Sequence, residues 1–142
     1  MPDVQPAEIV EFLRAQYDAE EELAKHARDD GEGRWHLADP PEEESGRLED
    51  ERGYVVVYDE GRPSFAQATH IALHDPARAL AELDAKRRIL DLCVRWIEVG
   101  QPPPNSTWSD DAAGATVARS VLRLMALPDA EHPDYRPEWA PA

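Results

Sequence analysis

His70 and His74 stand four residues apart. On a helix that spacing sets both imidazoles on one face, where they can meet a single metal ion, the basis of a small metal-dependent enzyme. Pro76 follows the pair at once, and no third ligand stands at a fixed local spacing. His26, His36, His132 or Glu82 would have to converge on the site through the fold. A buried or capping pair is the reading that the sequence favours for the same two rings. Asp75, Arg78, Glu82 and Arg87 form a second charged group, although Asp75 already suits a structural task as a helix cap. The chain carries no glycine-rich phosphate loop, no Gly-x-Ser-x-Gly and no paired cysteines. Cys93, the single cysteine, has no basic neighbour on its own helical face and reads as core filler. These patterns favour a non-catalytic protein without a cofactor over an enzyme.

The charge is the stronger signal. Of a net −15 over 142 residues, −13 belongs to residues 1–60, which hold 19 acidic and 6 basic side chains. Such a field keeps a chain soluble, which is the plainer reading of it, and it also repels nucleic acid and anionic lipid and speeds encounter with a basic protein surface. Glu20, Glu21, Glu22, Glu42, Glu43, Glu44, Glu49, Asp50 and Glu51 are the carboxylates expected to meet that partner. Lys86, Arg87 and Arg88 form the basic triplet, too small a cluster to hold duplex nucleic acid at physiological salt. No apolar run approaches the ~18 residues of a membrane span, and the start Met-Pro-Asp-Val-Gln-Pro lacks the basic and apolar parts of a signal peptide. The expectation is a cytoplasmic protein.

The elements that must position these residues are legible in part. Asp75 followed by Pro76 predicts an N-cap and first helical residue, and a long helix from Pro76 to about Val99. Leu80, Leu83, Leu90, Val94 and Ile97 fall on one side of it, with Ile89, Cys93 and Trp96 as a second row usable for self-association. Arg87 interrupts the apolar row and needs a carboxylate or carbonyl partner. Upstream, Pro6 starts a helix to about residue 28 with Ile9, Phe12, Leu13, Ala19, Leu23 and Ala27 as its apolar members. Arg34–Ala38 predicts one short strand and Tyr54–Tyr58 another, with residues 39–53 a polar loop between them. Ser64 with Gln67 has capping-box spacing and opens a short helix ending near His74. A last helix is expected over 110–126, capped by Thr107 or Ser109, where Gly114 either weakens the helix or admits a close neighbour. The proline-bearing tail beyond 128 is expected to be extended and non-helical, with Tyr135 and Trp139 strapping the core.

Three pieces stand together: Arg62-Pro63-Ser64 through Gln67, the run His70 to Leu90 with its His-Ile, His-Asp-Pro-Ala-Arg and Ala-Lys-Arg, and Leu124–Pro128 leading to His132-Pro-Asp-Tyr-Arg-Pro-Glu-Trp139. In these the chain resembles a family of small actinobacterial and actinophage proteins of unknown function. The similarity covers residues 62–92 and 122–139 and implies no activity; it suggests an accessory protein of a high-GC bacterium or its phage.

The fold expected is α+β and mostly α-helical: three to four helices around a long central helix, with a small two-stranded antiparallel ribbon. Residues 1–142 are read as a single domain, with an N-terminal helix to 30, an acidic loop and ribbon over 31–60, a helical core over 61–127 and a proline-rich tail. The function expected is a protein-interaction or inhibitor module for a basic partner surface, in its sharpest form a phage-derived mimic of nucleic-acid charge.

Overall fold

A computed structural model describes residues 4–38, 47–57, 63–100 and 110–142. Four helices, α1 (Pro6–Ala27), α2 (Phe65–Leu73), α3 (Pro76–Val99) and α4 (Asp110–Ala126), accompany an antiparallel pair of strands, β1 (Trp35–Leu37) and β2 (Leu48–Asp50). The fold is α+β and mostly helical, as the pattern predicts. The chain divides into two compact units, Met1–Asp18 with Ala85–Ala142 and Ala19–Asp84.

In the helices of the first unit the buried apolar side chains are Ile9, Val10, Phe12, Leu13 and Tyr17 from α1, Leu90, Cys93 and Ile97 from α3, and Leu122 with three alanines from α4, and the tail adds Trp139. Those alanines, Ala115, Ala118 and Ala126, give α4 a narrow buried face. Arg87 finds its carboxylate in Asp18, 2.7 Å away. Gly114 lies beneath the indole of Trp96, so a methyl added there would come within 2.7 Å of Cζ3. The tail departs from expectation, since Leu127–Asp129 and Pro137–Trp139 are 3-10 turns. A proline near the start of such a turn removes an N–H that would have no partner anyway, so Pro128 and Pro137 open turns instead of forbidding them.

In the second unit α1 ends at a break where Asp29 takes a positive φ of 52° and Gly33 one of 77°. Gly33 is required twice over, because any side chain there would also press within 2.8 Å of Cβ of Pro76. β1 pairs with β2 in the register Trp35↔Asp50, His36↔Glu49 and Leu37↔Leu48, and α2 packs on β1. The capping box is formed: Ser64 Oγ accepts the Gln67 N–H and Gln67 Oε1 accepts the Ser64 N–H.

The second strand is not where the β-branched run predicts it. β2 lies inside the expected loop 39–53, and Tyr54–Val57 carries no strand of its own; Val55 makes one isolated bridge to Glu49, and the Val56 N–H donates to the Leu48 carbonyl. The reason is the turn after β2. Asp50 Oδ1 accepts the N–H groups of Arg52 and Tyr54, the Asp50 carbonyl accepts the Gly53 N–H, and Gly53 sits at φ 81°. That reversal fixes the strand on Leu48–Asp50 and leaves the tyrosine–valine run alongside it.

Candidate functional site

The carboxylates nominated from the sequence do three different things. Glu42, Glu43 and Glu44 lie outside the described residues, as do the proposed caps Thr107 and Ser109. Glu49, Asp50 and Glu51 are engaged within their own unit. Glu49 pairs with Arg47 at 2.8 Å, and Asp50, only 3 % exposed, holds Arg52 through its Nε at 2.9 Å and Nη2 at 2.6 Å. Burial pushes the Asp50 carboxyl up, but the Tyr54 and Arg52 N–H groups and the Arg52 guanidinium outweigh it and hold the group below the usual aspartate range. Glu51 accepts the backbone N–H groups of Glu32 and Arg34, and the Glu32 bond is the largest of the effects that lower its pKa. Asp50 therefore anchors the turn that follows β2. Sequence alone counts acidic residues; it does not show which of them face backbone N–H groups.

Glu20, Glu21 and Glu22 sit on the C-terminal half of α1, where of residues 18–27 only Ala24 is buried. Lys25 pairs with Glu21 at 3.0 Å and Glu22 at 3.8 Å. Leu23, counted from the sequence among the apolar members of the helix, is 71 % exposed, the most exposed large apolar side chain among the described residues. Ala19 and Ala27 are exposed as well. Sequence reasoning missed this because the spacing of Ala19, Leu23 and Ala27 continues the helical period.

The rings of His70 and His74 lie side by side, centroids 4.5 Å apart and tilted by 50°, and both are exposed. Among the described residues no group of three or more His, Cys, Asp or Glu side chains is placed to hold a metal ion. Asp75 acts as the N-cap of α3, its Oδ1 accepting the Arg78 N–H at 2.8 Å. Pro76 is buried at the first helical position. Cys93 is buried, and burial pushes its thiol up.

The tail residues close on Phe12. Its ring lies 5.2 Å from that of Trp139, 6.1 Å from Tyr135 and 5.5 Å from His132, and Arg136 reaches Glu8 at 2.9 Å. Trp139 is 2 % exposed, so the tail straps the first unit. Beside it runs an open groove of about 1520 Å³ with a floor that includes Val10, Val94 and Ile97, and with Arg14, Arg119 and Arg123 interspersed with Glu11, Glu98 and Glu138. Among the described residues its lining holds no hydroxyl, thiol or imidazole. Its carboxylates and guanidiniums can grip charged groups of either sign.

No helix of the described chain is long and apolar enough to cross a membrane. Fold and surfaces together define a small, mostly helical α+β protein. A family model matches residues 6–141, and the chain belongs to that family, DUF6221, a family of unknown function. No curated protein and no solved structure matches the chain.

Proposed function

We propose that the protein is a non-catalytic interaction module that docks the acidic end of α1 on a basic surface of a partner protein. The observation that carries this reading is Leu23, exposed by 71 % on a helix end where Glu20, Glu21 and Glu22 are its neighbours in sequence. A leucine costs free energy in water and gains it in a contact, while the carboxylates around it select a partner of opposite sign. Residues 19–30 carry five carboxylates against Lys25 and Arg28. In the sharpest form of the proposal those carboxylates stand where a nucleic acid would present phosphates, and the partner is a nucleic-acid-binding protein held inactive.

The test is capture of partners from a host lysate on the immobilised chain, followed by kinetics with the purified partner. A complex formed at about 0.05 M salt should weaken steeply towards about 0.3 M, because exposed charges are screened over the shorter Debye length. Glu20→Lys with Glu21→Lys and Glu22→Lys should slow association roughly tenfold, and Leu23→Ala should speed dissociation. A complex indifferent to salt and to all four substitutions overturns the reading.

A further inference from the structure

The outer face of α3 carries an apolar stripe that the core does not use. Ile89, Leu92, Trp96 and Val99 follow one another at steps of three, four and three, and all are exposed, from 42 % at Trp96 to 61 % at Val99. Steps of three and four are the spacing of a helix-to-helix seam, in which each side chain enters a hole on a facing helix. The sequence grouped Ile89 with Cys93 and Trp96, but Cys93 turns inward and the outward row runs through Leu92 and Val99 instead. Trp96 packs on Gly114, so this stripe adjoins the outer face of α4, where Val117 is 62 % and Leu124 56 % exposed. Six apolar side chains exposed by about half leave on the order of 600 Å² of apolar surface, close to the ~800 Å² per partner of a standard stable interface.

We infer that this face pairs with the same face of a second copy of the chain, with the two α3 helices antiparallel about a two-fold axis level with Cys93 and Val94. The charges beside the stripe carry the choice of occupant. Arg88, Asp91, Arg95 and Glu98 alternate in sign along the exposed flank. Turned end for end, the row faces its copy with opposite signs, Arg88 towards Glu98 and Arg95 towards Asp91. In that register Ile89 lies level with Val99 of the copy and Leu92 with Trp96 of the copy, so every member of the stripe meets another. A two-fold interface must be self-complementary in this way. The inference does not rest on the acidic-tip reading of α1.

Sedimentation of the full chain from about 0.01 to 100 µM, a range that resolves dissociation constants from tens of nanomolar to tens of micromolar, tests it. The wild-type chain should be dimeric, and Leu92→Glu with Val99→Glu should raise the dissociation constant about 100-fold with an unchanged melting profile of the monomer. Arg88→Glu alone and Glu98→Arg alone should each weaken the dimer roughly tenfold, whereas the two together restore it, since the swap re-creates opposite signs across the axis. This charge swap keeps the test decisive if the double glutamate variant does not fold. A wild-type chain monomeric at the highest concentration, which would assign the stripe to a different protein, overturns the inference. So does a dimer that the paired swap fails to restore.

Discussion

One carboxylate oxygen of Asp75 accepts the backbone N–H of Trp35 at 3.1 Å while the other caps α3 through Arg78. A single side chain thus fastens the start of β1 to the start of the long helix. Asp75→Ala should cost about 2 kcal/mol, the sum of a lost cap and a stranded strand N–H. Asp75→Ser should recover part of it by capping without reaching Trp35. Hydrogen exchange gives the check, with both the Trp35 and Arg78 amides losing protection in the alanine variant and Trp35 alone in the serine variant.

Asp50 sets an acid limb on stability. Its carboxyl titrates lower in the folded chain than in the unfolded one, so its contribution is complete above the ordinary aspartate range and fades as the pH falls through the folded value. Asp50→Asn should lower the melting temperature at pH 7 and leave the two proteins alike in strong acid. Glu51, lowered in the same sense by its bonds to Glu32 and Arg34, should keep a smaller acid limb in the variant. Melting curves from pH 7 to about pH 2 measure this, and parallel curves at all pH values would contradict it.

Gly114 and Trp96 should show opposite responses to the same methyl group. Alanine is the better helix former by about 1 kcal/mol, but in the wild-type chain its Cβ collides with the indole, and overpacking of this kind costs about 1–3 kcal/mol. Gly114→Ala should therefore be neutral to destabilising when Trp96 is present and stabilising by up to about 1 kcal/mol in a Trp96→Ala background. A double-mutant cycle by urea denaturation reads the difference.

Trp139→Ala should destabilise by about 3–5 kcal/mol, because it empties the space against Phe12 and Tyr135. Arg136→Ala should cost under about 1 kcal/mol, since its pairing with Glu8 is half exposed. Removing residues 129–142 should lower the melting temperature at least as far as Trp139→Ala does.

Local signals were the readable ones. Asp75-Pro76 and Ser64 with Gln67 mark helix starts because cap chemistry depends on residues adjacent in the chain, and all four helices lie within a residue or so of their expected spans. Tyr54–Tyr58 misled because β-branched residues report a fit to a pleated surface, whereas the strand was placed by a turn whose anchor, Asp50, looks in the sequence like one more surface acid. For the same reason the acidic block divided: Glu51 and Asp50 face N–H groups, a fact set by the path of the backbone and invisible to a count of charges. Leu23 continues the helical period of the buried Ile9 and Phe12, and only packing shows that no neighbour covers it.

The amino end of α3 has a consequence for ligands. Free N–H groups at such an end ordinarily make a receptor for sulfate or phosphoryl oxygens. Here Pro76 has none to offer, Ala77 donates to the Gly33 carbonyl at 3.0 Å, and Arg78 donates to Asp75. The longest helix of the protein is therefore sealed at its positive pole by its own chain, and an oxyanion arriving there finds a carboxylate already seated.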